Sequence, residues 1–207
     1  SMAIINGDDT KQDKNAIPEI MKGALKVSFE RSIGLDYDDA EERYDRLHAK
    51  GRKIPFDIKA LNIITKNGLE DKTLNCVLAS TGVGKTIFMC HAAAAALTQG
   101  KNVLYITMEM AEEKIAERID ANLMDVELDD FDNMEKETFI DKFVKVSKTG
   151  GFLNKMFGIK KKSTLGKLIV KEFPTGAGNA NHFRFLLDEL DLKKGFKPDF
   201  IIIDYIN

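Results

Sequence analysis

Apolar and polar positions alternate in a regular order of strands and helices from residue 73 onward. Near-continuous apolar stretches of four to seven residues predict buried strands, and longer amphipathic or small-residue stretches between them predict helices. The predicted strands cover 73–79, 102–107, 168–173 and 200–204, and the predicted helices cover 86–97, 111–124 and 180–192. Apolar strands that alternate with helices indicate a mostly parallel sheet covered on both faces, so the fold class is α/β.

The part before residue 56 has a different pattern. Residues 1–14 are polar and predict a flexible tail, with Ser1 and Met2 resembling a tag remnant. Residues 15–55 predict a linker helix and a charged helical connector, and residues 56–207 the α/β core. The linker helix has an apolar stripe at helical spacing that nothing in the chain is expected to cover, and we expect it to contact a neighbouring subunit. This stripe consists of Ile17, Met21, Leu25 and Phe29.

Composition narrows the function classes only a little. The chain has 207 residues with 31 Lys and Arg against 33 Asp and Glu, a formal net charge of −2, so a nucleic-acid surface must be local. Cys76 and Cys90 lie in apolar surroundings without a CxxC pattern, which indicates a reducing cytoplasm and neither a disulfide framework nor a zinc site. No apolar run reaches the roughly 20 residues of a membrane helix.

The strongest chemical signal is a glycine-rich loop between a predicted strand and a predicted helix. Its sequence matches the phosphate-binding P-loop except that Ala79 stands in place of the first glycine. Such a loop directs backbone N–H groups and the positive end of a helix dipole at the phosphates of ATP. Lys85 is predicted to contact the β- and γ-phosphates, and Thr86 to ligate Mg²⁺. The predicted nucleotide-binding residues are Ser80, Thr81, Gly82, Val83, Gly84, Lys85 and Thr86.

Three further residues are candidates for the same site. Asp204 ends the strand 200–204 and is predicted to reach the Mg²⁺ shell through water. Glu109 follows the strand 102–107 at the same edge of the sheet and is the predicted base that activates water, with Lys85 as the other catalytic residue. Arg118 has no carboxylate one helical turn away, so it is either a nucleotide contact or a solvated surface arginine.

A lysine-rich stretch covers residues 142–171, which contain nine lysines and no acid, directly after an acidic stretch. Residues 148–162 predict a mobile loop with one short helix, because glycines flank a few apolar side chains. Phe152 and Phe157 are possible stacking platforms for DNA bases, but a solvated loop is the better interpretation.

The motifs together resemble those of the DnaB-type hexameric replicative helicases, and most closely those of T-even bacteriophages. The resemblance is carried by the P-loop, by Tyr-Ile-Thr-Met-Glu-Met at 105–110 followed by Arg118, and by Ile-Ile-Ile-Asp-Tyr at 201–205. Further matches are Ser-Thr-Leu-Gly at 163–166 and Pro-Thr-Gly at 174–176. It covers the chain from about residue 16 onward, with an expansion over 145–162.

This resemblance implies that residues 56–207 are the RecA-like ATPase core of a ring-shaped motor, truncated after the strand that ends at Asp204. It would hydrolyse ATP with Mg²⁺ at subunit interfaces, move along single-stranded DNA, work with a primase and assemble as a hexamer in the host cytoplasm. It assigns Lys85, Thr86, Glu109, Asp204 and Arg118 to the roles given above. It also implies a fragment without the collar domain, the arginine finger and the central DNA-binding loops, which should bind nucleotide better than it hydrolyses it.

Two other classes remain open on the residues alone. A RecA-like recombinase would share the P-loop, Glu109 and Asp204, and strand exchange rather than unwinding would identify it. A nucleotide-gated scaffold would bind ATP without turnover, which the presence of Glu109 and Asp204 argues against for the parent protein.

Overall fold

The structure is a computed structural model that describes most of the chain from residue 36 onward. The described ranges are 36–49, 51–156, 165–176 and 178–204, with the backbone alone described over 148–156. The predicted tail over 1–14 and the predicted linker helix over 17–29 lie outside the described residues. The chain divides into two compact units, 1–50 and 51–207.

In the first unit, the described residues form one charged helix, as the sequence predicts. Helix α1 covers Ala40–His48. Asp39 caps it by accepting a hydrogen bond from the Glu42 N–H at 2.8 Å, and Arg46 pairs with Glu42 one turn along the helix. The charged pattern in this segment therefore encodes a solvated helix with a side-chain cap.

The second unit contains the remaining described elements. In chain order they are β1 (Lys53–Ile54), α2 (Lys59–Ile64), β2 (Leu69–Glu70), α3 (Lys85–Thr98), β3 (Val103–Thr107), α4 (Glu112–Met124), α5 (Leu128–Phe131), α6 (Lys136–Met156), β4 (Leu168–Glu172), α7 (Ala180–Lys194) and β5 (Phe200–Asp204). No helix among the described residues is both long and apolar enough to cross a membrane.

Strands β3, β4 and β5 form a parallel sheet in the order β4-β3-β5. Thr107 at the end of β3 is aligned with Glu172 on one neighbour and with Asp204 on the other. The carboxyl ends of all three strands therefore finish level, and the loops that follow them begin at one edge of the sheet.

Helices cover this sheet on both faces, which confirms the prediction. Successive side chains of a strand point to opposite faces, and on β3 this places Val103 and Tyr105 in one core with residues of α3 and α4. Leu104 and Ile106 face the other core, where they pack with Leu190 of α7. The strand is completely buried, as its continuous apolar sequence indicates.

Helix α3 owes its central position to a run of five alanines, Ala92–Ala96. All five are buried, and three of them are at most 1% exposed. The helix contacts the sheet and α4, and at its N-terminal half Phe88 lies near Phe56, with ring centroids 6.4 Å apart. Methyl side chains allow several neighbours to approach one helix closely.

A short antiparallel ribbon, β1 with β2, lies on the same side as α3. Ile54 of β1 is part of the core that contains Tyr105. The side-chain amide of Asn62 accepts from the Phe56 N–H and donates to the Phe56 carbonyl, and so satisfies backbone groups that a longer strand would pair.

The predicted buried strand over 73–79 is wrong. Residues 73–80 have no regular secondary structure, and Leu74 and Leu78 are about nine-tenths exposed, at 90% and 92%. A strand needs a neighbour that completes its ladder of hydrogen bonds, and no described strand pairs with this segment. An apolar sequence thus specifies the extended form only together with a partner.

The prediction of a mobile loop with one short helix over 148–162 is wrong for residues 148–156, which belong to one long helix. Helix α6 continues through the two glycines at 150 and 151 to Met156, while 157–164 lie outside the described residues. The helix begins in the acidic stretch, where Phe139 packs edge-on against Phe131 and stacks with Phe143. These contacts anchor the N-terminal half, and a glycine costs only about 1 kcal/mol in a helix.

Gly166 provides a test of the packing between the loop before β4 and the loop before β3. A Cβ atom at this position would lie 1.9 Å from the Lys101 carbonyl oxygen. The Gly166 N–H donates to the Leu97 carbonyl oxygen at 2.9 Å. We expect Gly166→Ala to lower the free energy of unfolding by about 3 kcal/mol, because backbone must move on both sides.

Gly195 is the matched control. Its φ is +57°, and a Cβ atom there meets nothing within 4 Å. Gly195→Ala should therefore lower the free energy of unfolding by only about 1–2 kcal/mol, the cost of a left-handed alanine. Urea titration followed by circular dichroism measures both variants. Equal losses of unfolding free energy would show that Gly166 and the Lys101 carbonyl are not tightly packed.

Candidate nucleotide-binding site

The glycine-rich loop leads into α3 as the sequence predicts. Gly84 caps the helix in the left-handed region at φ 99°, Gly82 has φ 76°, and no side chain caps the first turn. Glycine adopts this conformation without strain. The first-turn N–H groups of a helix lack partners within the helix, so this end of α3 offers donors and partial positive charge to an anion.

Lys85 is held over this loop. Its ammonium group donates to the carbonyl oxygens of Ala79 and Ser80, each at 3.1 Å. Thr86 follows it in the first turn, where both residues are half-buried, whereas residues 80–83 are exposed. The loop therefore carries its charge and its donors on an accessible surface.

Asp204 is buried at the end of β5, with 2% of its surface exposed. Its carboxylate accepts a hydrogen bond from the Tyr105 hydroxyl at 2.8 Å. Tyr105 lies on β3 opposite Ile202, two residues before the level of Asp204, and is completely buried. The sequence predicted the aspartate at this edge but not its partner.

Cys90, a residue of helix α3, lies next to Tyr105 and Asp204. Its thiol lies 4.0 Å from the Tyr105 hydroxyl oxygen, and it follows Thr86 by four residues, which places both side chains on one face of the helix. The structure therefore places Tyr105 and Asp204 beneath the face of α3 that carries Thr86.

Burial dominates the electrostatics of these groups. It raises the pKa of the Cys90 thiol to about 11, against smaller opposing effects of the hydrogen bond with Tyr105 and of the Arg118 charge. Burial, and after it the neighbouring Cys90 and Asp204, raise the pKa of Tyr105 far above its ordinary value. The phenol therefore keeps its proton and donates to Asp204, and the thiol is a packing group rather than a nucleophile.

Glu109 lies in a turn that hydrogen bonds hold in place. The Thr107 hydroxyl accepts from the Met110 N–H at 3.1 Å and donates to the Met110 carbonyl at 2.9 Å. The Met108 N–H donates to the Asp204 carbonyl at 2.8 Å, and the Met108 carbonyl accepts from the Thr175 hydroxyl at 2.9 Å. The turn thus joins the ends of β3, β4 and β5, and the Glu109 side chain is exposed at the same edge as Asp204.

Arg118 is half-buried on α4, near enough to Cys90 for its charge to act on the thiol. Within the part of the chain that the structure describes, it forms no ion pair, whereas Lys114 one turn earlier pairs with Glu117 at 2.7 Å. Its position next to α3 distinguishes it from an arginine on the outer surface of the domain.

Two of the acids on α4 lie against other parts of the domain. Glu112 accepts from the backbone N–H of Glu172 at 3.2 Å and so ties α4 to β4. Asp120 is half-buried beside Leu97 and Leu168, in a groove of about 610 Å³ at the amino ends of the strands. Glu112 thus ties two elements together, whereas Asp120 lies at the edge of the sheet opposite to Asp204.

Sequence reasoning missed Tyr105, Thr107 and Thr175 as supports of this site. Their partners are distant in sequence or are backbone groups, and no local pattern marks such pairs. His91 bridges Asp57 at 2.8 Å and Asn122 at 3.0 Å and joins α3 to α4. Among the described residues, no group of three or more His, Cys, Asp or Glu side chains is arranged to hold a metal ion on its own.

The parallel sheet, the loop that opens α3 and the aspartate at the end of β5 belong to a RecA-like α/β domain. Residues 54–207 match the DnaB-like helicase C terminal domain family. A DnaB-like replicative helicase of Enterobacteria phage T4 is 49% identical over 195 residues, which are 94% of this chain and 39% of that protein. The chain therefore belongs to the DnaB-like helicase C-terminal domain family, and it spans about two fifths of the length of that relative.

The position of Asp120 predicts how stability depends on pH. Burial raises its pKa from 3.8 to about 6 in the folded state. Because the folded pKa exceeds the unfolded one, Asp120 stabilises the fold below about pH 4, and this contribution is lost as the pH rises through about 6. The free energy of unfolding therefore declines as the pH rises from about 4 to about 7. In Asp120→Asn this decline should be smaller by about 1–2 kcal/mol, a value reduced for partial exposure of the carboxyl.

Urea unfolding at several pH values between 4 and 7 measures this effect. Asp188→Asn, at an exposed position on α7, is the matched control and should retain the decline of the parent. An identical pH dependence in the parent and in Asp120→Asn would mean that Asp120 titrates as an exposed carboxyl.

Proposed function

We propose that this domain binds ATP with Mg²⁺ at the loop 79–86 and hydrolyses it as part of a replicative DNA helicase. The observation that carries the proposal is the N-terminus of α3, where no side chain caps the first turn and where Lys85 and Thr86 lie. Cys90 on the same helix contacts Tyr105, which in turn donates to Asp204. A site for a triphosphate and its metal needs donors, a cation and a carboxylate close together.

Each group has a role in this proposal. The loop N–H groups and Lys85 hold the phosphates, and Lys85 exchanges its two carbonyl partners for phosphate oxygens. Thr86 ligates Mg²⁺ and Asp204 holds a water of its shell. Glu109 orients or deprotonates the attacking water, which its exposed position on a fixed turn supports. Arg118 contacts the nucleotide from α4.

For the whole protein we propose a ring-forming motor, a hexamer, that moves along single-stranded DNA and unwinds duplex at the fork. It would work with a primase in the cytoplasm of a bacterial host. Family membership and the name of the T4 relative support the helicase over a recombinase. The apolar stripe over 17–29 is the proposed contact between subunits, since such stripes seldom stay exposed on monomers.

The first test removes the ammonium group at the loop. Lys85→Ala should weaken binding of MgATP at least about tenfold, because a charge-assisted contact to phosphate contributes roughly 1.5–3 kcal/mol. Titration calorimetry measures the dissociation constant. Lys136→Ala, at the exposed start of α6, is the control and should bind as the parent does. Equal affinity of Lys85→Ala and the parent would refute the site.

The second test separates binding from hydrolysis. Glu109→Gln keeps the size of the side chain but removes its basicity, so ATP affinity should change less than about twofold while turnover falls about 10²-fold or more. Phosphate release by the whole protein in the presence of single-stranded oligothymidylate measures turnover. Glu113→Gln, exposed in the first turn of α4, should keep the parent rate. Unchanged turnover in Glu109→Gln would assign the base elsewhere.

A further inference from the structure

The Asp204 carboxylate depends on one hydrogen bond from another side chain. It is 2% exposed, and in the described part of the chain the Tyr105 hydroxyl is the sole side-chain donor to it, at 2.8 Å. A buried carboxylate is costly unless its oxygens are hydrogen-bonded. The two oxygens therefore differ, because Oδ2 accepts from the phenol and Oδ1 has no donor among the described residues.

Tyr105 is well placed to fix this carboxylate. The side chain is 0% exposed and packs in the core formed by α3, α4 and the sheet, with Ile115 and Ile119 in the same cluster. Its hydroxyl oxygen also accepts from the Cys90 thiol at 4.0 Å. A completely enclosed ring has little freedom to turn, so its hydroxyl holds Oδ2 in one place.

We propose that Tyr105 is the positioning residue of the metal site, which orients Asp204 through Oδ2 and leaves Oδ1 for water of the Mg²⁺ shell. This rests on the proposed function, in which Asp204 serves MgATP. Groups that hydrogen-bond to the carboxylates of a metal site set their orientation, and their loss commonly costs 10- to 100-fold in metal affinity or activity.

A purely structural role makes a different prediction. If Tyr105 only fills the core, phenylalanine supplies the same ring, and the metal dependence of nucleotide binding stays as it is. If Tyr105 positions Asp204, the loss of one hydroxyl raises the Mg²⁺ requirement while the metal-independent part of nucleotide binding is retained.

The experiment titrates Mg²⁺ into the chain in the presence of a fluorescent N-methylanthraniloyl ATP analogue. For Tyr105→Phe we expect the Mg²⁺ midpoint to rise about tenfold, with analogue affinity at saturating Mg²⁺ within about twofold of the parent. Tyr44→Phe is the matched control, since it removes the hydroxyl of an exposed phenol, on helix α1. It should keep the parent midpoint.

A double-mutant cycle tests whether the effect passes through Asp204. In the Asp204→Asn background, Tyr105→Phe should cause no further shift of the Mg²⁺ midpoint. If Tyr105→Phe has the same Mg²⁺ midpoint as the parent, or if the shifts of the two single variants add in the double variant, the positioning role is overturned. The proposed function would remain intact in either case. If Mg²⁺ has no effect on analogue binding by the parent, the proposed metal site itself is refuted.

A second measurement keeps the proposal testable if Tyr105→Phe does not fold. Chain-wide incorporation of 3-fluorotyrosine gives four ¹⁹F signals, one for each tyrosine. The signal of Tyr105 should shift when Mg²⁺ is added to the nucleotide-bound chain, since its hydroxyl contacts the carboxylate that serves the metal. Absence of that shift would overturn the proposal.

Discussion

The parallel register of β3 with its two neighbours is the constraint on which the rest of the domain depends. It aligns Thr107 with Glu172 and with Asp204, so three strands end at one level. The turn that carries Glu109 can then bond to the backbone of β5 on one side and to Thr175 on the other. A slip of this register by one residue would turn Asp204 to the face that packs against α7 and would separate it from Tyr105.

Two kinds of information in the sequence were sufficient for most of this architecture. Continuous apolar strands indicated a sheet buried on both faces, and the order glycine, lysine, threonine before a small-residue helix indicated an anion site at its N-terminus. Both signals are local. The predicted positions of Lys85, Glu109 and Asp204 follow from them, because the carboxyl ends of parallel strands lie at one edge.

The features that could not be predicted involve residues far apart in the chain. Tyr105 and Asp204 are separated by 99 positions, and each alone reads as an ordinary strand residue. The segment 73–79 has a strand sequence but lacks a described partner, and Asp120 belongs to a charged helix but lines a groove together with Leu97 and Leu168. In each case the outcome depends on a neighbour that no local window contains.

The alanine run of α3 has a consequence for the chemistry at the end of the same helix. Its methyl groups set the distance between the helix axis and the sheet, and the glycine-rich loop leads directly into this helix. A larger side chain at Ala93 or Ala96 would push the helix outward and carry Thr86 away from the aspartate. The spacing between the start of this helix and the carboxylate at the end of β5 is thus encoded partly by residues that have no functional group of their own.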